Sequence, residues 1–423
     1  MRRFYIETQG CQMNKADTER ISGMLVHEGW IAVQAPEEAD LILVNGCAVR
    51  EKAENRAVQR ARSFNRIGEK VKVGLIGCAA EWIGDSVRDL LPDIYLAASP
   101  ARFHELPRLA VHGGYAMGSS EWEPEDTNPD RGTGIRAWIP IMRGCDQWCS
   151  YCVVPTTRGK QISFPAEYVI GKATDALNRG YVELVLLGQR VSAYRHEDLD
   201  FLDLIAGIEK IPGVKRIRFT APYPSDISEP LLRFMGSSDI VEHRLHLPLQ
   251  SGSNRILTRM NRGYSMEQYR DLIAAARKHI PDLALSTDLI VGFPGELERD
   301  FEDTVSAVKE FKFDTAFTFA YSERKGTSAA DMDGKVAPAV QRDRLKRLID
   351  VHHEVLGRQR SGFIGRRVKI IVEGADTKEP NYSLGKTSGG IVVILPGEYA
   401  IGSEVVVTIN GLRGHTLVGS PLI

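Results

Sequence analysis

The sequence predicts a mixed α/β protein in three parts: an N-terminal parallel α/β domain, a central open, partial (β/α)6 barrel, and a small C-terminal β-barrel. Three features point to it. Apolar runs alternate with amphipathic stretches up to about residue 335, as parallel strands with crossover helices do. All six cysteines follow such runs, three behind separate runs and three on one loop. After Gly365 the pattern changes to short alternating strands broken by glycines.

The bulk numbers bound the function. With 423 residues, 43% hydrophobic and 26% charged, the chain is long enough for two or three ordinary cores. A net charge of −1 excludes nucleic-acid binding driven by overall charge, so an RNA partner must be met by local patches. No run of eighteen apolar residues occurs, and Met1-Arg-Arg-Phe-Tyr-Ile-Glu7 lacks the apolar core of a signal peptide. A cytoplasmic protein without a membrane span is expected. Cysteines there point to metal or redox work rather than disulfides.

In residues 1–110, Cys11, Cys47 and Cys78 each end an apolar run and each follow a glycine, at gaps of 36 and 31 residues. Helical stretches over Asp17–Trp30 and Glu51–Arg66 separate them. The strands should be parallel, with three Gly-Cys corners at one sheet edge, where ligands bind. Buried free cysteines are often mere small hydrophobes, but this repetition favours a second three-thiolate cluster, the glycines letting backbone approach a bulky inorganic group. Arg50–Lys72 holds eight Lys/Arg against three Asp/Glu, either a solvated helix face or a phosphate-binding one. Residues 111–134 read as a linker, with Gly113-Gly114, Gly118-Ser-Ser120 and the acids Glu121, Glu123, Glu125, Asp126 and Asp130 among prolines.

The central part (135–360) opens with Ile135–Met142, then Arg143-Gly-Cys145-Asp-Gln-Trp-Cys149-Ser-Tyr-Cys152. Clustered thiolates select iron–sulfur clusters or zinc, and a structural zinc site wants a fourth ligand near by. Three thiolates on a four-iron cube leave one iron open for a small chelate, as a cluster that binds S-adenosylmethionine (SAM) requires. The C-x3-C-x-aromatic-C spacing, with Tyr151 before the last cysteine, is the pattern of that chemistry. Further strands are expected at Tyr181–Leu187, Val214–Thr220, His243–Leu249, Leu283–Val291 and Asp314–Tyr321, with helices at Tyr269–His279 and Asp300–Phe311. Six β/α units suit an open barrel with its site at the strands' carboxyl ends. Gln189, Gln250, Ser251, Ser253 and Asp288 fall there, offering amide, hydroxyl and carboxylate partners for SAM. His243 and His246 read as core or strand-face residues.

Pro338 opens a long helical stretch to about Gly362; Arg342–Arg367 again holds eight Lys/Arg against three Asp/Glu, a packed connector or a nucleic-acid rail. Residues 361–423 read as the small barrel, with strands at Arg367–Val372, Gly390–Ile394 and Val405–Ile409.

Together Gly10-Cys-Gln-Met-Asn14, Asn45-Gly-Cys47 through Asn55, the Cys145 motif with Arg158-Gly159, Leu187-Gly-Gln189, Leu249-Gln-Ser-Gly-Ser253 and Asp288 through Glu296 resemble the radical SAM methylthiotransferases over essentially the whole chain. Gln12-Met-Asn14 and Arg50-Glu-Lys-Ala53 are most similar to members acting on N6-dimethylallyladenosine in tRNA. Gly46, Thr156, Arg190, Ser192 and Phe164 depart from the usual family residues. The resemblance implies two [4Fe-4S] clusters, one on Cys145, Cys149 and Cys152 that cleaves SAM to a radical, and one on Cys11, Cys47 and Cys78 that accepts a methyl group from another SAM and holds the methylthio unit. It implies methylthiolation at C2 of the adenosine beside the anticodon. It also implies Arg143, Arg158 and Lys160 as contacts for phosphates or a SAM carboxylate, and a C-terminal TRAM-like domain on the anticodon stem-loop. A flavodoxin or ferredoxin as electron donor and a monomer are expected. Methylthiolation of threonylcarbamoyl-adenosine or of a ribosomal-protein aspartate, and a non-enzymatic iron–sulfur RNA-binding regulator, are the alternatives.

Overall fold

The computed structural model describes residues 1–68, 70–120, 129–132, 134–377 and 379–422. The N-terminal sheet is entirely parallel, in the order β2-β1-β3-β4-β5-β6: β1 Arg3–Thr8, β2 Ile31–Ala32, β3 Leu41–Gly46, β4 Lys72–Gly77, β5 Leu96–Ala98 and β6 Gly114–Ala116. Every residue of β3 is buried, as a central strand covered on both faces must be. Its period of two sends Ile42 and Val44 to Ala57, Ala61 and Phe64 of the helix Glu51–Phe64. Leu41 and Leu43 pack instead with Ile21 and Leu25 of the helix Gln12–His27. Strand β6 lies inside the stretch expected to be a linker, because Gly114 pairs with Leu96. Of that stretch's acids, Glu121, Glu123, Glu125 and Asp126 fall outside the described residues.

The central strands are β7 Arg136–Pro140, β8 Met142–Arg143, β9 Ile162–Ser163, β10 Glu183–Leu187, β11 Arg195–His196, β12 Leu199–Asp200, β13 Arg216–Phe219, β14 Arg244–His246, β15 Ala284–Val291 and β16 Thr315–Ala320. Six of them form two parallel three-stranded sheets, β7-β10-β13 and β14-β15-β16, joined by the parallel bridge Ile217↔Val241. The result is the expected open arc of six. Helices including Ala166–Asn178, Met266–His279 and Glu298–Phe311 cover its outer face through one continuous apolar core.

The helix Pro338–Ser361 packs against the arc as a connector, with Arg342, Lys346 and Arg358 left exposed on it. Arg344 and Arg360 are buried against Glu296 and Asp314, and Arg347 pairs with Glu298 and Glu302. The C-terminal barrel closes with five strands, β17 Arg367–Ala375, β18 Tyr382–Thr387, β19 Val392–Pro396, β20 Glu404–Arg413 and β21 Thr416–Pro421, in the order β17-β18-β19-β21-β20. Two of these, β18 and β21, were not legible, because Gly385, Lys386, Gly419 and Pro421 interrupt the apolar alternation.

Candidate functional site

The three N-terminal cysteines follow β1, β3 and β4, neighbouring strands of one parallel sheet, so they share its carboxyl edge. The glycine before each cysteine makes room for protein atoms. A Cβ on Gly10 would stand 2.7 Å from the Cys47 Cβ, and one on Gly46 would stand 2.7 Å from Ala79 and 2.8 Å from Ala57. One on Gly77 would overlap the Asn45 side-chain oxygen. Two buried asparagines lock the corners together. Asn14 Nδ2 donates to Asn45 Oδ1 (3.0 Å), and Asn45 Nδ2 donates to the Asn14 carbonyl (2.9 Å). Each lies within three residues of a cysteine.

The second group sits on the loop after β8. Gly144, at φ +73°, lies against the chain where it returns: an added Cβ would overlap the Lys160 carbonyl, and Cys145 N–H donates to the Gly159 carbonyl (3.1 Å). The loop is strapped to residues 259–262 as well. Ser150 Oγ donates to the Arg259 carbonyl (2.9 Å), Ser150 N–H to the Met260 carbonyl (3.0 Å), and Asn261 Nδ2 to the Trp148 carbonyl (2.6 Å). Each thiol of this group accepts one N–H: Cys145 from Gln147 (3.4 Å), Cys152 from Val154 (3.4 Å), and Cys149 from Arg262 Nη1 (3.3 Å). Arg262 is buried, stacks on Tyr223 and Tyr264, and donates to the Pro248 carbonyl (2.8 Å). No motif in the sequence marked it.

The two groups adjoin, since Val153, next to Cys152, shares one buried apolar cluster with Cys78 and Ala48. Arg158 joins them too, donating through Nε to Cys78 Sγ (3.2 Å) and through Nη2 to Asp17 Oδ2 (2.6 Å).

Burial pushes Cys152 up to about 12 and Cys47 up to about 11, neighbouring thiols adding to both. Such thiols stay neutral until a cation displaces their protons. Within each group the thiols sense one another, yet no three His, Cys, Asp or Glu among the described residues converge closely enough to hold a single ion.

The expected SAM contacts divide. Gln189 Oε1 and Gln250 Oε1 are buried without a partner, as is the Tyr321 hydroxyl at the end of β16. Unpaired buried polar atoms at one strand-end rim fit a polar ligand there. Asp288, half-buried, lies 3.3 Å from His246 Nε2. Ser251 and Ser253 are not available. Ser253 Oγ donates to Asp300 Oδ1 (2.7 Å), and Ser251 Oγ accepts from Ser253 N–H (3.2 Å), both residues buried beside the helix Glu298–Phe311. Tyr151 packs edge-on against Phe293, its hydroxyl 3.4 Å from Arg262 Nη1. Of the expected phosphate contacts, Arg158 is buried and engaged as described, and Arg143 donates to the Ser120 carbonyl. Only Lys160 is exposed.

An open arc of six parallel strands with a three-thiol loop behind its first strand defines a radical SAM protein. The Radical SAM superfamily matches residues 139–308, and the family described as Uncharacterized protein family UPF0004 matches residues 3–98. The tRNA-2-methylthio-N(6)-dimethylallyladenosine synthase of Symbiobacterium thermophilum is 38% identical over 96% of this chain and 91% of its own. That of Thermodesulfovibrio yellowstonii is 37% identical over 99% and 98%. The chain belongs to this family of radical SAM tRNA methylthiotransferases. Superfamily membership implies a [4Fe-4S] cluster and SAM. Among solved structures, the radical SAM methyltransferase TsrM from Kitasatospora setae shares the fold, with a TM-score of 0.59 at 13% identity over 78% of this chain and 77% of that one. OxsB does so with a TM-score of 0.53 at 12% identity over 83% and 56%. No helix among the described residues is long and apolar enough to cross a membrane.

Proposed function

We propose that the protein adds a methylthio group to C2 of N6-dimethylallyladenosine next to the anticodon of tRNA. The observation that carries this is the pair of three-thiol groups, linked through Val153 and Arg158, in a chain whose relatives of that name match it over nearly its whole length. Cys145, Cys149 and Cys152 would hold the cluster that binds SAM, and Cys11, Cys47 and Cys78 a second [4Fe-4S] cluster. Bound there, cluster and SAM supply radical chemistry on a C–H that no side-chain base can ionise.

The chain's own residues orient and shield. Gln189 and Gln250, their side-chain oxygens unpaired, and Asp288 at the same rim serve as polar partners for SAM. Arg262 and the strap to residues 259–262 hold the loop in place. Lys52, Arg56, Arg66 and Lys70 are exposed without an ion pair among the described residues, so the helix Glu51–Phe64 and the loop after it offer phosphate contacts. The domain limits 1–110, 135–360 and 361–423, the RNA-binding part of the C-terminal barrel, a flavodoxin or ferredoxin donor, a cytoplasmic setting and a monomeric state complete the proposal.

The test is an anaerobic reaction of reconstituted protein, reductant and SAM with tRNA carrying dimethylallyl-adenosine, read by mass spectrometry of digested nucleosides. The methylthio product should form, and vanish in both Cys149→Ala and Cys47→Ala. SAM cleavage with unmodified tRNA would overturn the substrate; no cleavage by fully clustered protein would overturn the activity.

A further inference from the structure

Arg158 occupies a place that neither cysteine group explains by itself. It ends the helix Val154–Arg158, which starts two residues after Cys152, yet its guanidinium lies in the N-terminal domain. It is 8% exposed, its Nε donates to Cys78 Sγ at 3.2 Å, and its Nη2 donates to Asp17 Oδ2 at 2.6 Å. Asp17 is itself 6% exposed and sits on the helix that Cys11 caps. The contact has a counterpart: Arg262, 4% exposed, donates to Cys149 Sγ at 3.3 Å. Each three-thiol group therefore has one thiol bonded to a buried guanidinium.

A hydrogen bond from a fixed cation to a ligand sulfur stabilises the more negative, reduced state of an iron–sulfur cluster over the oxidised one, most strongly where water is excluded. We infer that Arg158 is a positioning residue that raises the reduction potential of a cluster on Cys11, Cys47 and Cys78, and that it does so from the loop helix of the other cluster, so that the potential depends on the docking of the two domains. This rests on the two-cluster reading above. It assigns Arg158 to a sulfur instead of a phosphate. Its placement allows one residue to fix both the separation of the two groups and the charge beside one of them.

The test uses the full-length chain carrying Cys145→Ala, Cys149→Ala and Cys152→Ala, which leaves one cluster to observe. Iron content, the midpoint potential by spectroscopically monitored redox titration, and the thermal unfolding transition are measured for Arg158, Arg158→Lys and Arg158→Gln. The expected result is a midpoint shifted to more negative values in Arg158→Gln, with part of the shift recovered in Arg158→Lys. An unchanged midpoint in Arg158→Gln that keeps its iron overturns the inference. If both variants lose their iron, Arg158 holds the cluster or the fold instead of tuning the potential, and the inference is overturned; the unfolding transition tells which of the two it holds. If the chain with Arg158 intact binds no iron on Cys11, Cys47 and Cys78, the two-cluster reading itself fails, and that outcome is separate from the others.

Discussion

Gly10 and Cys47 are packed so closely that a Cβ on the glycine would stand 2.7 Å from the Cys47 Cβ and 2.8 Å from Asn14 Oδ1. Gly10 also sits at φ +128°, a conformation that costs other residues about 1–3 kcal/mol. Gly10→Ala should push apart the corners carrying Cys11 and Cys47 and lower iron affinity there by about 10–100-fold. Purified Gly10→Ala should hold about half the wild-type iron, still cleave SAM, and form no methylthio product. Wild-type iron content would show that the corner tolerates the extra carbon.

The Cys145 loop makes the mirror-image case. Gly144 is pressed onto the Lys160 carbonyl at φ +73°, and that carbonyl belongs to backbone, which cannot move aside as a flexible side chain does. Gly144→Ala should again lose about half the iron by a similar affinity factor, but this time abolish SAM cleavage. Since the apolar core of the arc does not include residue 144, the unfolding transition should move little. Circular dichroism with iron analysis separates these outcomes.

How far the sequence was legible follows the range of each signal. The Gly-Cys corners and the C-x3-C-x2-C loop are local patterns, and strand order places the three corners at one sheet edge. Long-range contacts left no such trace. Arg262 lies 113 residues from Cys149 and no motif marks it; Arg158 stands out beside the Cys145 loop, but its partner Cys78 is 80 residues away, so it reads there as a phosphate contact and not as a donor to sulfur. The same limit explains Ser251 and Ser253. A polar strand end looks alike whether its hydroxyls face a ligand or, as here, the helix Glu298–Phe311, where Gly252 lies so close that an added Cβ would be 2.5 Å from the Asp303 carbonyl.

The contrast between Ser253 and Gln250 can be measured. Ser253 Oγ donates to Asp300, which also accepts from Arg255 and from Leu297 N–H (2.8 Å). Ser253→Ala should destabilise the fold by about 1–3 kcal/mol, the cost of a buried acceptor losing a donor. Its SAM affinity, by equilibrium binding to clustered protein, should be unchanged. Gln250→Ala removes an amide whose oxygen is unpaired, so stability should hold and SAM binding weaken by about three- to tenfold. The reverse pattern would return the serines to the cofactor.

A pH dependence arises on the far side of the arc. His243 Nδ1 lies 2.6 Å from Asp282 Oδ1 across the starts of β14 and β15. That bond raises the histidine above its ordinary value and lowers the aspartate. The histidine's contribution is therefore fully present below about 6.5 and fades as pH rises through its elevated folded value. The aspartate's contribution fades only under acid. With Asp282 63% exposed on its side chain, solvent screening limits the pair to about 0.2–1 kcal/mol. Thermal melts should show Asp282→Asn less stable than wild type at pH 5.5 and nearly equal to it at pH 9. An equal gap at both would mean that the pair does not titrate as described.

The C-terminal barrel is tied to the arc by charge, and this tie yields the last prediction. Glu183, fully buried in β10, takes Arg136 Nε at 2.5 Å, Arg218 Nε at 3.2 Å and Arg216 Nη1 at 3.5 Å. Arg136 continues to Glu373 (2.6 Å), which binds Lys386 (2.7 Å), and Arg216 Nη2 donates to the Lys386 carbonyl (2.9 Å). Both Glu373 and Lys386 belong to the barrel, so one carboxylate at the base of the arc organises the seat. A buried ion group gains little over an apolar one when intact, but removing one member strands the others, at about 3–5 kcal/mol. Glu183→Gln keeps the shape and removes the charge that three arginines share. The variant should release a C-terminal fragment under limited proteolysis between the connector helix and the barrel much faster than wild type. If the barrel binds the RNA stem, tRNA affinity should fall while SAM cleavage without tRNA is unaffected. Proteolysis at the wild-type rate would show instead that the hydrogen bonds of Lys215 and Arg216 to barrel carbonyls hold the barrel without the carboxylate.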